Sequence, residues 1–412
     1  MTRAPAAATV PSTATCGNSA AMTRRFTQGF RAAFDALHAQ AAERSGLADF
    51  GDDGYREPLA FLLDCYDRES PLSEEGAEAT REVLVRGLVG RLRATRGLAL
   101  HPECLARPLA HPLVIAGVPR TGSTALHKLL ASDPGSQALE YWLGCEPDVR
   151  PPREAWPEHP SYRAAVAALE RIYAGSPEMR AAHSMRAGEA DECRLLLMQD
   201  FRNTSYSFNA TLPSYEAWVL EQDMRPVYAR FRDNLKLIGA REPDKRWVLK
   251  NSSHLWALPA LVATFPDVCL VQTHRSPLEW LVSIASLIHK SRVLYEPDAR
   301  KQDVGEQMLR QWSKVIARCR ADRERLDVRA LDVHHRHLQR DPIGTLRRIY
   351  EHFDWPWSPE AERAIRAWTE SNRRGQHGVH RYSAEEYGLS EARIEERFAD
   401  YIAWEQAVLR SA

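Results

Sequence analysis

The chain is predicted to be an α/β protein: a P-loop-like three-layer sandwich with a central, mainly parallel sheet, extended by helices at its amino and carboxyl ends. Three observations predict this. Residues 113–116 (Leu-Val-Ile-Ala) and 268–272 (Val-Cys-Leu-Val-Gln) are short apolar runs, the pattern of strands buried on both faces, and residues 327–333 supply a last strand. The first run opens through a glycine turn into apolar positions at helical spacing: Ala125, Leu126, Leu129 and Leu130. The second opens into Ser276-Pro277-Leu278-Glu279, with Ser at the cap, Pro at the first helical position and Glu three residues after the Ser.

Composition narrows the function. With 55 basic and 55 acidic residues among 412, the formal charge is zero, so a generic polyanion-binding surface and nucleic acid are not expected; any anion site must be local. The seven cysteines are odd in number, scattered and without a C-x-x-C pair. That is neither a disulfide framework nor a zinc pattern, and it fits a reducing, cytoplasmic compartment. No apolar stretch approaches the length needed to span a bilayer.

Residues 1–24 form an expected disordered tail of Ala, Pro, Ser and Thr without the apolar segment of a signal peptide, and Met22 is an alternative start. Residues 25–111 are expected as a helical segment packed on the main domain. Phe26, Phe30, Phe34 and Leu37 recur at helical spacing, and stretches 55–66 and 74–94 are amphipathic. The α/β domain then occupies 112–412, with a helical insertion at about 145–240. Within it, 146–160 is a proline-rich loop.

The turn from Gly117 to Gly122 organises the rest. A strand, a glycine turn and a helix start gather backbone N–H groups and the positive helix end at one point, which is an anion site. Gly117-x4-Gly122-Ser123-Thr124 nearly fits the pattern G-x-x-x-x-G-K-[ST], but Ser123 stands where the phosphate-reaching lysine belongs. A nucleotide triphosphatase without that lysine loses the charge on its outer phosphates. The cation inside this turn is Arg120.

Two further stretches bear chemistry. Residues 182–194 are densely charged and precede a helix expected at 195–201; the acidic residues read either as a helix cap or as an acceptor-binding wall in which Glu192 acts as a base. Tyr206, Phe208, Tyr215 and Trp218 suit an apolar acceptor pocket or ordinary core. Next, Trp247 to Lys250 is an apolar run ending in lysine, Asn251 to His254 opens a helix expected at 255–264, and Arg275 ends the following strand. Lys250, His254 and Arg275 thus fall at carboxyl ends of strands, as Arg120 does. In an open parallel sheet that edge binds the ligand. Near the end, 372–383 is a basic, glycine-punctuated loop, and 390–409 is a closing amphipathic helix. The cluster His334-His335-His337 lacks an acid or cysteine at ligand spacing, so no metal is expected.

Taken together, the loop Pro119-Arg120-Thr121-Gly122-Ser123-Thr124, the later Lys250 and His254, and the pair Arg275 and Ser283 resemble the sulfotransferases that use 3′-phosphoadenylyl sulfate (PAPS), in their bacterial branch. The resemblance extends from about residue 25 to the end. It implies that the loop holds the 5′-phosphosulfate, that Arg275 and Ser283 grip the 3′-phosphate, that Arg374 and Gly375 belong to a loop closing over that phosphate, and that Lys250 and His254 flank the reacting centre. Departures exist. Ala125 stands where animal relatives stack an aromatic residue on adenine, Asn251-Ser252-Ser253 lacks a proline common in bacterial relatives, and the histidine cluster replaces a Tyr/acid pair.

The implied reaction is sulfuryl transfer from PAPS to the hydroxyl of a small-molecule or lipid-like acceptor, without metal, in a protein that forms a homo-oligomer in one open reading. His254 would be the base, with Glu192 as the other candidate, and Lys250 and Arg120 would offset charge on the departing phosphate oxygen. Two alternatives stay open: an NTPase- or kinase-like phosphotransferase, and a non-catalytic protein binding the desulfated nucleotide PAP.

Overall fold

The computed structural model describes residues 29–175, 185–372 and 383–411. Five strands, β1 (Leu113–Gly117), β2 (Ser136–Ala138), β3 (Arg246–Lys250), β4 (Cys269–His274) and β5 (Ala330–His334), form one parallel sheet in the order β2-β3-β1-β4-β5. The chain moves from β1 outward to β2, returns to β3, then crosses β1 to β4. That reversal makes the carboxyl end of β1 the topological switch point, where open α/β sheets bind ligands.

Both faces of the sheet are covered, as the unbroken apolar runs require. Leu113 and Ile115 of β1 face one apolar cluster, with Leu126, Leu129, Val271, Leu346 and Ile349. Val114 and Ala116 face the other and larger cluster, which runs through the insertion and the amino-terminal helices Phe34–Ser45, Arg56–Glu69 and Glu74–Leu100. Arg91, fully buried in the last of these, ties the layers together. It binds Asp200 at 3.1 Å, Asp52 at 2.6 Å and the carbonyl of Phe50 at 2.7 Å, and lies 4.2 Å from the centre of the Tyr55 ring. A buried guanidinium holds only when paired, and here nearly every donor has an acceptor.

Several elements differ from expectation. The last strand begins at Ala330, not 327. The closing helix is two, Glu391–Arg397 and Ala399–Arg410, broken where Phe398 turns inward onto Trp280 with ring centres 5.5 Å apart. The helix expected at 195–201 is one α-turn, Arg194–Leu197, tightening to a 3-10 turn, Met198–Asp200, and stopped by Phe201 in the left-handed region at φ 54°. The helix expected at 255–264 is a 3-10 turn, Ser252–Leu255, followed by Leu258–Thr264. Strand β2 is unannounced because Ser-Gln-Ala carries no apolar run; the long helix Lys301–Arg325 shows its core face only as Val304, Met308, Trp312 and Val315 at helical spacing. Among the described residues, no helix is long and apolar enough to cross a membrane.

Candidate active site

The glycine turn leaves β1 at its carboxyl end, and its glycines have separate reasons. A Cβ on Gly117 would lie 1.9 Å from Thr273 Oγ1 on β4, so a side chain there is excluded by the neighbouring strand. Gly122 has φ 82° and a Cβ there would meet His335 Nδ1 at 2.9 Å. Arg120 also adopts positive φ, 66°, a strain of roughly 1–2 kcal/mol for a residue with a side chain. The turn is anchored from beneath. Thr121, fully buried, donates to the carbonyl of Val118 at 2.8 Å and shares a 2.6 Å hydroxyl contact with Thr273. His335 donates from Nδ1 to the Thr121 carbonyl at 3.0 Å, which leaves its Nε2 to accept from Gln339 at 2.6 Å. His335 thus supports the loop, a role that a reading of the histidines as metal ligands overlooks. His334, its neighbour, pairs with Glu405 at 2.6 Å and accepts from the backbone of Arg336. Among the described residues no cluster of His, Cys, Asp or Glu could hold a metal.

Arg120, Arg275 and Ser283 meet. Arg120 Nε donates to Ser283 Oγ at 3.2 Å, and Arg275 Nη1 donates to the Arg120 carbonyl at 2.8 Å. Arg275 Nε donates to Glu279 at 2.7 Å. This last bond corrects the expected capping box at the start of helix Pro277–Arg292: Ser276 makes no side-chain cap bond, and the Glu279 carboxylate, instead of reaching back to the Ser276 N–H, binds the guanidinium, its stronger partner. Pro119, Arg120, Thr121, Gly122, Ser123 and Thr124 then lead into helix Ser123–Ala131, so its positive end faces the same point.

A second cluster adjoins the first through Thr124. Lys250, nearly fully buried at the end of β3, donates to Thr124 Oγ1 at 3.2 Å and pairs with Glu192. Asn251 donates to the other oxygen of Glu192 at 3.1 Å, and the backbone N–H of Cys193 donates to the Lys250 carbonyl at 3.0 Å. The acidic stretch is therefore not a helix cap. Cys193 stands at the cap without a side-chain bond, and Glu192 instead answers the buried ammonium, which needs a counter-charge.

His254 lies deeper. It is fully buried, with Nδ1 2.7 Å from Tyr228 Oη and its ring 5.7 and 6.1 Å from those of Tyr228 and Phe231. Burial pushes its pKa down to about 3, partly opposed by the nearby charge of Glu192. Its Nε2 has no hydrogen-bond partner among the described residues. The tight turn Ser252–Leu255, capped by Asn251 accepting from Ser253 N–H at 2.7 Å, points residue 254 inward. Tyr206 and Tyr215 are buried core, with the Tyr215 hydroxyl donating to the Phe201 carbonyl at 2.7 Å. Arg374 and Gly375 lie outside the described residues.

The arrangement gathers two guanidiniums, a buried ammonium and a helix start around one glycine turn. Comparison with known proteins gives the family. The sequence model described as "Sulfotransferase family" matches residues 112–359. The structure of sulfotransferase STF1 from Mycobacterium tuberculosis H37Rv is similar over 90% of this chain and 100% of that one, with 39% identity and a TM-score of 0.83. Sulfotransferase STF9 from Mycobacterium avium is similar over 90% of this chain and 95% of that one, with 27% identity and a TM-score of 0.81. No curated protein matches the sequence. The chain belongs to the sulfotransferase family.

Proposed function

We propose that this sulfotransferase takes its sulfuryl group from PAPS and delivers it to the hydroxyl of a small-molecule acceptor. The observation that carries the reading is the junction at the switch point: Arg120, Arg275 and Ser283 on one side of the glycine turn, Thr124 and Lys250 on the other. The residues present fit such a donor. PAPS bears roughly four negative charges, and a helix end stabilises one charge by only about 0.3–1 kcal/mol, so arginines must do most of the binding. Arg275 and Ser283 are suitably typed for the 3′-phosphate and the turn for the 5′-phosphosulfate. The lysine that a triphosphatase needs after Gly122 is absent, which disfavours the phosphotransferase alternative.

When bound, the donor supplies an activated sulfuryl group on a phosphate leaving oxygen. Lys250 and Arg120 then offset charge developing on that oxygen as the sulfur–oxygen bond breaks. Lys250 is poised to do so because its Thr124 contact places it at the helix start, with Glu192 holding it meanwhile. A base must take the acceptor proton as the new oxygen–sulfur bond forms. Glu192 is the reading the geometry favours, since it is partly exposed and fixed by Lys250 and Asn251. His254 is the second reading, favoured by its unpartnered Nε2, though its full burial sets it back from the turn.

Titration with PAP, PAPS, ATP with magnesium, and GTP, read as shifts in melting temperature, tests the donor. Stabilisation by PAP and PAPS is expected. A protein that ignores PAP and melts later with ATP and magnesium overturns the proposal. Turnover of PAPS with phenols and alcohols, followed as a mass gain of one sulfuryl group, separates the enzyme from an inert nucleotide binder.

A further inference from the structure

None of the residues assigned above comes from the amino-terminal helices, yet the longest of them, Glu74–Leu100, forms a wall of a pocket of about 160 Å³ beside the reacting centre. Helix Tyr141–Cys145 and the segment from Arg194 to Gln199 form other walls. Arg194 is two residues beyond Glu192, the partner of Lys250. Met185 lines both this pocket and the narrow cleft that holds Thr124 and Lys250, so the two adjoin at that residue. Its backbone N–H donates to the Tyr173 hydroxyl at 2.6 Å, which fixes it in place.

Three donor-bearing side chains line this pocket, beside the Tyr141 and Tyr295 hydroxyls and the Asn209 amide. Gln199 is 1% exposed, and its Oε1 accepts from Asn234 Nδ2 at 3.0 Å and from Arg230 Nε at 3.3 Å. Two donors at Oε1 fix the orientation of the amide, and its Nε2 is left on the side of Gly90 with no acceptor among the described residues. A buried donor in that state is stabilised by any bound oxygen. Arg194 meets no carboxylate within 4.0 Å among the described residues; its nearest polar contact is the Met198 sulfur at 3.6 Å. Arg86 has Glu82 at 3.7 Å, but Arg44 already grips both oxygens of Glu82 at 2.7 and 2.8 Å. Two guanidiniums and an amide N–H thus line a pocket whose other walls are largely apolar, and Gly87 and Gly90 keep it open.

We propose that this pocket is the acceptor site and that it takes a hydroxy acid: a carboxylate against Arg194, Arg86 and the Gln199 amide, an apolar body along Gly87 and Gly90, and a hydroxyl reaching past Met185 to Glu192. The proposal rests on the sulfuryl-transfer reading. In the step, the acceptor hydroxyl gives its proton to Glu192 and bonds to sulfur, while the bond from sulfur to the phosphate oxygen breaks and PAP leaves with both electrons. The amino-terminal helices are then part of substrate choice.

A panel of phenolic and aliphatic hydroxy acids, each paired with its methyl ester, tests this with PAPS in excess. For the preferred pair, kcat/KM of the acid should exceed that of the ester by about tenfold or more, the discrimination of one charge-assisted contact. Arg194→Gln should bring the two near parity by raising KM for the acid, with PAP-induced stabilisation unchanged. Gly87→Val provides a second variant, since a Cβ there meets Phe201 only at 3.6 Å; it should raise KM for acid and ester alike. Esters that serve as well as acids throughout, or a preference untouched by Arg194→Gln, would overturn the proposal while leaving sulfuryl transfer standing. No PAP binding and no mass gain on any acceptor would remove both.

Discussion

The two halves of the site are built differently. On the β4 side, Arg120, Arg275, Ser283, Thr121 and Thr273 all lie within a few residues of a strand end or in the helix that follows it, and two of their bonds run to backbone carbonyls. On the β3 side, Lys250 meets Glu192, a residue from a connection 58 positions earlier in the chain. The nucleotide binding proposed for this side asks for a rigid frame, and strand ends supply one. The proton transfer and acceptor choice proposed for the other side ask for side chains that other segments bring in, which would make that half the more adaptable one.

The sharpest way to break this division is to alter the β3 side and watch turnover. Replacing Lys250 by Ala, or Glu192 by Gln, should lower kcat by about 10²–10⁴-fold, the range for a lost transition-state cation or general base. PAP-induced stabilisation should survive in the Glu192 variant. Near-normal turnover in Glu192→Gln, with a large loss in His254→Gln, would hand the base role to the histidine.

The β4 side should fail in binding instead. Arg275→Ala removes a guanidinium proposed to hold the 3′-phosphate, so KM for PAPS should rise about tenfold to a hundredfold, the value of a hydrogen bond to a charged group, while kcat falls less. An equal fall in kcat and kcat/KM would show that Arg275 acts in the transition state, and the two halves would no longer divide the work.

This contrast also explains what could be read in advance. The glycine turn, Arg275 and Ser283 are legible because strand, turn and helix follow one another in sequence, and short spacing fixes them in space. Even there the detail escaped: Glu279 looked like half of a capping box, and only the position of Arg275 shows why it is not. The acidic stretch around Glu192 could be read as a cap or as an acceptor wall, because nothing in it announces that Lys250 is buried opposite. His254 looked like a residue at a helix start, and a 3-10 turn carries it into an aromatic pocket. The amino-terminal helices read as mere packing, since amphipathic spacing marks a buried face but not what Gly87 and Gly90 leave open beside it.

Stability sharpens the comparison on a smaller scale. Gly117→Ala would push a methyl group into Thr273 on β4, the same residue that anchors the turn through Thr121. Overpacking of this kind costs about 1–3 kcal/mol, and urea denaturation should show it as a lower midpoint. Alanine in place of Gly87, mid-helix and with only ordinary contacts, should instead raise the midpoint slightly, since alanine is the better helix former by about 0.5–1 kcal/mol. A Gly117 variant as stable as the parent would mean that β1 and β4 can separate at this end.

A further effect concerns protons on the β3 side. His254 and His127 are both buried, His127 donating from Nε2 to the Val248 carbonyl at 3.0 Å, and burial pushes both pKa values down to about 3. In the unfolded chain each titrates near 6.5. Between these values the unfolded state binds more protons than the folded one, so stability falls as pH drops below about 6.5 and is unaffected by these groups above it. Each histidine contributes a slope of up to about 1.4 kcal/mol per pH unit. Denaturation at pH 7 and pH 5 should therefore show a clear acid loss, reduced in His127→Gln and reduced again in the double variant with His254→Gln. An acid slope identical in all three proteins would mean that these rings are solvated in the native state, and with them the inner wall of the β3 side.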